Sequence, residues 1–274
     1  MLKDITLGQF FPGTSVVHRA DPRVKLVLTL VYVVILFVCK NIYSFSLVVL
    51  MSLLFVLLSG ISFKVVLKSI KPVIFLMAFT AVINIFFTTG EGEPLFEFGF
   101  IKVWEKGVVN AVFMVARVLS LITATSVLLT YTTSPIALTD ALERLLKPLK
   151  KIRVPVHEFA MMMTIALRFI PTLLEETDKI IAAQKARGAA FDRGNLIDKV
   201  KAFIPILIPL FISAFRRADD LACAMECRCY RGDEGRTRMK ILTLSRLDFV
   251  AIAVFGLFLA ALFILNGIEC PITL

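Results

Sequence analysis

The long apolar runs of this sequence are the feature that most constrains its fold. Five stretches carry few charges and approach the roughly 20 helical residues needed to cross a bilayer. They cover residues 24–39, 42–63, 72–89, 108–131 and 249–268. The chain is 58% hydrophobic, which is above the share of about half that is usual for soluble domains. We therefore predict an all-α membrane protein with about five transmembrane helices.

The charged residues between the runs predict their orientation. The segment between the second and third runs contains Lys64, Lys68 and Lys71 and no acidic residue, whereas four glutamates lie between the third and fourth runs. The positive-inside rule assigns the lysine-rich side to the cytoplasm. The N-terminus and the long segment before the last run then lie in the cytoplasm, and the C-terminus lies outside. Because the first run is short, we expect Arg23 and Lys25 to snorkel to the membrane interface.

The long segment before the last run carries most of the basic excess. Between residues 132 and 248 the chain has 20 Lys plus Arg and 14 Asp plus Glu, out of a formal net charge of +10. A cytoplasmic location explains this excess, and no nucleic-acid-binding module accompanies it, so we expect no nucleic-acid partner. The predicted organisation has transmembrane helices 1–4 in residues 1–132, cytoplasmic coupling helices in residues 133–245 and a C-terminal transmembrane helix in residues 246–274.

Local signals divide the cytoplasmic segment into three amphipathic helices. Ser134 is a candidate N-cap, and Pro135 stands at the first helical position. The helices are predicted over residues 135–146, 156–187 and 196–230, and Pro171 is expected to interrupt the second. Their apolar stretches are too short to cross a bilayer. We therefore expect these faces to lie at the membrane surface or against a protein.

The second and third of these helices look like a diverged pair. Asp178 and Asp219 lie 41 positions apart, and each helix carries a proline upstream. Each helix ends in an arginine between two small residues: Ala186, Arg187 and Gly188 in the first tip, and Cys227, Arg228 and Cys229 in the second tip. An arginine fork on such a tip can approach the carboxylates and carbonyls of a partner groove. The alternative is an arginine that only complements the helix dipole, but two matching tips favour a two-fold partner such as an ATPase dimer.

Further motifs surround the two tips. They are Arg-Phe-Ile-Pro-Thr-Leu-Leu-Glu-Glu-Thr-Asp at 168–178, Pro-Leu-Phe at 209–211, Arg-Arg-Ala-Asp at 216–219, Ala-Met-Glu at 224–226, Tyr-Arg-Gly-Asp-Glu-Gly-Arg-Thr-Arg at 230–238, Gly-Gln-Phe at 8–10 and His-Arg-Ala-Asp-Pro-Arg at 18–23. Together with the tips, they resemble the transmembrane (T) component of energy-coupling factor (ECF) transporters over nearly the whole chain.

The resemblance implies a scaffold subunit of an ABC-type importer in the cell membrane of a prokaryote, with an L-shaped coupling platform. Two ATP-binding subunits, identical or different, would receive the two tips and would bind ATP and Mg, so no cofactor is expected in this chain. A small membrane-embedded substrate-binding subunit would carry a vitamin or another micronutrient inward. In the second tip, Cys227 and Cys229 replace the usual Ala and Gly. Because glycine adopts a positive φ most readily, the helix stop at Cys229 is in question.

Two other features invite a functional interpretation. Arg117 lies about 15 Å into the fourth run, where an ionisable group is costly. We interpret it as a structural intramembrane charge that pairs with Asn84 or a loop acid, rather than as part of a substrate path. Phe159 with Met161, Met162 and Met163 form a candidate platform for the substrate-binding subunit, because methionines adapt to different surfaces. Packing against neighbouring helices is the alternative.

The sequence does not predict an enzyme. It contains no Gly-x-x-x-x-Gly-Lys-Ser/Thr phosphate loop, and no nucleophile–base pattern stands out as a catalytic site. Cys223 and Cys227 share a helix face, but Cys229 does not and no histidine is near, so we expect no metal site. Two rival functions remain open. They are a conventional ABC permease, which would line a path with polar residues, and a membrane-anchored adaptor without a transport role.

Overall fold

The chain folds into two compact units. The computed structural model describes residues 10–39, 41–88, 96–98, 101–189, 196–232 and 242–267. Within these ranges, the membrane unit comprises residues 10–141 and 242–267, and the second unit comprises residues 142–232. The first of the two boundaries between the units, after Ala141, therefore falls inside one helix, Pro135–Leu146.

Nearly all of the described chain is helical. The helices are α1 (Val16–Arg19), α2 (Pro22–Val38), α3 (Ile42–Ser59), α4 (Phe63–Ile70), α5 (Ile74–Phe87), α6 (Glu105–Thr125), α7 (Pro135–Leu146), α8 (Val156–Ala186), α9 (Leu196–Cys227) and α10 (Arg246–Asn266). Short 3-10 turns occur at Lys71–Val73 and Lys147–Ile152, and a π-helical turn at Ser126–Tyr131. One small antiparallel hairpin, β1 (Phe96–Phe98) with β2 (Ile101–Val103), pairs Phe96 with Val103. The predicted all-α class is confirmed, with this hairpin as an addition.

Four of the predicted membrane spans are confirmed as helices. Among the described residues, the segments long and apolar enough to cross a membrane are Ile42–Ser59, Phe63–Phe87, Glu105–Tyr131 and Arg246–Asn266. The second of these begins earlier than predicted, because α4 continues through the turn at Pro72 into α5. The first predicted span is the 17-residue α2. At about 26 Å and 1.5 Å per residue, it is one residue shorter than Ile42–Ser59, and its crossing of the membrane stays a prediction.

The core of the membrane unit lies among α2, α3 and α10. Tyr32, Leu36, Val48 and Leu262 have almost no exposed surface. The Tyr32 hydroxyl donates a hydrogen bond to the Val48 carbonyl at 3.2 Å, and its ring meets Phe55 edge to face at 5.8 Å. Such aromatic pairs add to the stabilisation that burial provides. Phe113 and Ala124 of α6 belong to the same buried cluster, so α2, α3, α6 and α10 share one interior.

Buried polar groups join several helix ends of the membrane unit at a site that we call the polar junction. Asp248 accepts hydrogen bonds from the backbone N–H groups of Asp21 and Ser245, both at 2.7 Å. Lys25 is 3% exposed, and its Nζ donates to the Thr132 carbonyl at 2.9 Å. The prediction that Lys25 snorkels to the interface is therefore wrong. Carbonyl and hydroxyl oxygens enclose its ammonium group and supply the hydrogen bonds that water would otherwise provide.

Arg23 also bonds within the membrane unit. Its Nη2 lies 2.7 Å from Asp21 Oδ2 and donates to the Leu242 carbonyl at 3.1 Å. The same Asp21 carboxylate accepts from the Arg23 backbone N–H at 2.8 Å and so caps α2. The Asp-Pro-Arg motif therefore starts α2 and ties that start to the chain just before α10.

In the second unit, α8 and α9 form an antiparallel helix pair. Three side-chain contacts join them, in order along α8: Met161 with Tyr230 at 3.0 Å, Glu176 with Arg217 at 2.7 Å, and Gln184 with Pro205 at 3.5 Å. Numbers rise along α8 as they fall along α9, so the two helices run in opposite directions.

Prolines lie inside both helices of this pair. The predicted interruption of α8 at Pro171 is wrong, because α8 continues from Val156 to Ala186. Pro205 and Pro209 likewise lie within α9. A proline removes one backbone donor and bends the helix locally, but the turns on either side keep their own hydrogen bonds.

Candidate functional site

The first tip ends α8 with a double hydrogen-bonded closure. Gly188 has a φ of 88°, and its N–H donates to the Lys185 carbonyl at 3.0 Å. The next N–H, of Ala189, donates to the Gln184 carbonyl at 3.0 Å. This is the Schellman pattern, in which a left-handed residue satisfies the last carbonyls of a helix. Arg187 stands just before this stop and is exposed.

The second tip repeats the same closure 41 positions later. Cys229 has a φ of 55°, and its N–H donates to the Glu226 carbonyl at 2.8 Å. The N–H of Tyr230 donates to the Met225 carbonyl at 3.0 Å. Cys229 therefore adopts the left-handed stop that the sequence put in question. A side chain in this region costs roughly 1–2 kcal/mol, so the second tip holds the same shape as the first under strain.

Both tips are open to a partner. Ala186, Arg187 and Gly188 are exposed, and so are Cys227, Arg228 and Cys229. A Cβ placed on Gly188 would meet no atom within 4 Å. Each tip thus presents a guanidinium group beside small side chains and a closed helix end. This arrangement can donate several hydrogen bonds to carboxylates or carbonyls.

The helix pair is centred on an ion pair that the sequence analysis missed. Glu176 and Arg217 are themselves 41 positions apart, and they bond directly at 2.7 Å. Because equivalent positions meet there, the midpoint of the antiparallel pair lies at this contact. Arg187 and Arg228 each follow it by 11 residues, in opposite directions, which separates them by about 33 Å along the pair. Opposite charges at matched positions were the signal available in the sequence.

The environment of Glu176 favours the ionised form of its carboxylate. Hydrogen bonds from Ser213 and then from Arg217 hold the pKa of Glu176 below its ordinary value, because both favour the charged form. Arg217 also lies 3.5 Å from the Ser213 hydroxyl through its Nε. Ser213 of α9 therefore orients the Arg217 guanidinium, which binds Glu176 of α8.

The predicted platform divides between the surface and the interior of the helix pair. Phe159 is 57% exposed, and Met162 and Met163 are each 53% exposed. Met161 instead turns toward α9, where its sulfur accepts the hydrogen bond from Tyr230. The structure thus keeps three of the four residues available for a partner and uses the fourth to join α8 to α9. Their role toward a substrate-binding subunit stays a prediction.

A second apolar surface lies on α9. It is formed by large exposed side chains that recur at helical spacing: Phe203, Ile204, Leu207, Ile208, Phe211, Ile212 and Phe215. The apolar face predicted for this helix is therefore present on the unit's surface.

Arg117 lies among aromatic rings of the membrane unit. Its guanidinium carbon is 5.9 Å from the ring centres of both Phe37 and Phe45, a distance suited to cation–π attraction. Its Nε is buried and has no hydrogen-bond partner among the described residues. Asn84, the predicted partner, donates to the Thr80 carbonyl of its own helix at 2.9 Å. Aromatic contacts therefore take the place of the expected pairing with Asn84, whereas Glu91 and Glu93, two of the loop acids that could pair with Arg117, lie outside the described residues.

The remaining candidate ligands are dispersed. Cys223, Cys227 and Cys229 are free and exposed. His157 lies 2.9 Å from Glu143, and His18 lies 2.7 Å from the Ser15 hydroxyl. In the ranges that the structure describes, no three His, Cys, Asp or Glu residues are grouped to hold a metal ion.

Comparisons with known proteins cover both units. The family model described as CbiQ, cobalt transport protein, matches residues 13–240. The energy-coupling factor transporter transmembrane protein EcfT of Clostridium kluyveri is 54% identical over 268 residues, which is 98% of each chain. The EcfT protein of Bacillus subtilis is 46% identical over 267 residues, covering 97% of this chain and all of the relative. The matched residues include both tips.

Proposed function

Since the chain belongs to the family of energy-coupling factor transporter transmembrane proteins, we propose that it couples ATP hydrolysis in two partner ATPases to the movement of a substrate-binding membrane subunit. Family membership makes it a multi-pass membrane component of a multi-subunit transporter. In our proposal, the two ATPases are identical or different and bind ATP and Mg. The substrate-binding subunit carries a vitamin or another micronutrient. The N-terminus and the coupling helices face the cytoplasm, and the C-terminus lies outside.

The matched tips are the observation that supports this proposal most. Two exposed arginines end two helices with the same backbone closure, and they stand on opposite sides of a central contact. A partner with two equivalent grooves would receive one arginine in each groove. Charge-assisted hydrogen bonds from a planar guanidinium hold a carboxylate in a defined geometry. Movement of a groove would then move the helix docked in it.

A single helix would carry that movement to the substrate-binding subunit. Phe159 and Arg187 both belong to α8 or its cap, and 28 residues correspond to about 42 Å of helix. Displacement at Arg187 therefore shifts the exposed platform at the other end of α8. The apolar side chains of Phe159, Met162 and Met163 offer an adaptable surface for a membrane subunit.

Charge reversal at both tips tests the proposal. The chain would be co-expressed with ATPase and substrate-binding subunits from the same genome, as wild type and with Arg187→Glu plus Arg228→Glu. We expect the double variant to lose co-purification of the ATPases and at least 90% of ATP-driven uptake, because like charges would face each other in the grooves. The matched control reverses two exposed arginines away from the tips, Arg168→Glu plus Arg216→Glu, and should retain the ATPases.

Three outcomes would contradict the proposal. A tip variant that retains both ATPases and normal uptake would show that the arginines do not dock. Uptake by the chain without a substrate-binding subunit would indicate a conventional permease. Co-purification of ATPases without any uptake by the wild-type assembly would indicate an adaptor.

A further inference from the structure

Three described side-chain contacts join the helix pair. Among these three, only the contact between Glu176 and Arg217 brings equivalent positions of α8 and α9 together. Met161 with Tyr230 and Gln184 with Pro205 do not share the 41-residue spacing. Rotation of one helix relative to the other about the central contact would move the two tips by equal amounts. Displacement of that contact along either helix would move them unequally.

We propose that the Glu176–Arg217 ion pair is the pivot that sets the separation of the two arginine tips, and that breaking it uncouples ATP hydrolysis from transport. The inference rests on the proposed function, since it assigns a positioning role to residues remote from both tips. Neither residue touches a tip. Their effect acts through the geometry of α8 and α9.

A cleft between the two helices lies beside the pivot. Its volume is about 240 Å³, and it lies on the side of the ion pair that leads to the second tip. Its α8 wall is formed by Ile165, Phe169 and Leu173, and its α9 wall combines three alanines with the larger side chains of Leu221 and Met225. The hydrogen bond from Tyr230 to Met161 lies at the far end of the same stretch. Side chains therefore leave part of the space between the two helices open beside the ion pair.

Few side chains of the helix pair are buried among its described residues. They include Val156, Ala160 and Ile206. The ion pair is itself partly exposed, with side-chain exposures of 39% for Arg217 and 23% for Glu176. Water weakens the contribution of such a pair to stability. We therefore assign this pair a positioning role rather than a stabilising one.

Distance measurements between the tips test the pivot directly. Spin labels would be attached to a ketone-bearing amino acid at Ala183 and Ala224, two exposed and equivalent positions one turn before the tips, which leaves the native cysteines in place. We expect a narrow distance distribution in the wild-type chain and at least a two-fold broader one in Glu176→Gln. In the assembled transporter, Glu176→Gln should retain the ATPases but lower uptake per ATP hydrolysed at least five-fold.

Two companion variants make the result decisive. The exchange Glu176→Arg with Arg217→Glu restores an ion pair, so it should return both the narrow distribution and the coupling ratio. Glu175→Gln, an exposed neighbour on the same helix, should change neither quantity. The exchanged variant also tests the inference if Glu176→Gln alone fails to fold.

The pivot is overturned if Glu176→Gln leaves the distribution unchanged, if the distribution broadens without loss of coupling, or if the exchanged variant fails to restore coupling. Failure of the proposed function looks different. In that case the tip reversal at Arg187 and Arg228 leaves assembly intact, while the label distances still report whether Glu176 and Arg217 set the tip separation in the isolated chain.

Discussion

The membrane unit and the helix pair hold their shapes in different ways. Tyr32, Leu36 and Val48 lie in a closed interior of the membrane unit, and buried polar groups join its helix ends around Asp248. The helix pair relies on a few side-chain contacts and leaves large apolar side chains such as Phe211 exposed. Burial of side chains thus holds the membrane unit together, whereas a few specific side-chain contacts hold α8 against α9.

This difference fits a stable role for the membrane unit and a moving or partner-binding role for the helix pair. A unit with a satisfied interior resists local opening, whereas elements with few buried contacts are the ones that move or bind partners. Substitutions should therefore lower stability in the membrane unit and change assembly or coupling in the helix pair. The following predictions test that contrast, from the largest expected effect to the smallest.

Removal of the carboxylate at the polar junction should cost the most stability. In Asp248→Ala, the backbone N–H groups of Asp21 and Ser245 lose their acceptor, and each unsatisfied buried donor costs about 1–3 kcal/mol. We expect a loss of about 3 kcal/mol, measured as a lower midpoint of thermal unfolding in detergent. Asp248→Asn keeps one side-chain oxygen and should lose less. An unchanged midpoint in Asp248→Ala would show that the junction does not stabilise this unit.

Polar replacement of the exposed platform should change stability little and binding of the substrate-binding subunit strongly. In Phe159→Ser with Met162→Ser and Met163→Ser, the changed side chains are already solvent-accessible, so unfolding should shift by no more than about 0.5 kcal/mol. Retention of the substrate-binding subunit should fall about ten-fold, as measured by pull-down from the assembled transporter. The control Val156→Ala alters a buried residue of the same helix and should affect stability first. Unchanged retention in the triple variant would remove these residues from the interface.

Exchange of the two helix-stop residues should have the smallest effect. Cys229→Gly relieves the left-handed strain of a side chain but adds freedom to the unfolded chain, so we expect a gain of about 0.5–1 kcal/mol in the last turn of α9. Gly188→Cys should weaken the last turn of α8 by about 1 kcal/mol. Amide hydrogen exchange of the two turns measures both changes. Faster exchange in Cys229→Gly would contradict the strain at this stop.

Local sequence signals predicted much of the fold. Ser134 was expected to cap α7, and the Ala137 N–H does donate to its hydroxyl at 3.3 Å. The starts of α8 and α9 at Val156 and Leu196 were also correct. These features depend on caps, prolines and apolar spacing within one or two turns, which the sequence displays directly. Pro171 misled the prediction because a proline can bend a helix without ending it.

Contacts between distant segments were not accessible in the same way. The polar enclosure of Lys25 depends on residues more than 100 positions away, and the inward turn of Met161 depends on Tyr230, which follows the end of another helix. Neither position differs in its local sequence from an exposed one. Tertiary packing alone selects which of several similar side chains turns inward.

The features of the two tips are likewise of two kinds, those that the sequence shows and those that only the fold shows. Their arginines, their small neighbours and the 41-residue repeat are all legible in the amino-acid sequence, because each is a local pattern. The equal backbone closure at Gly188 and Cys229, and the meeting of Glu176 with Arg217 at the centre of the pair, required the fold. A glycine and a cysteine differ in their intrinsic φ preferences, and opposite charges 41 positions apart meet only when two helices pack antiparallel.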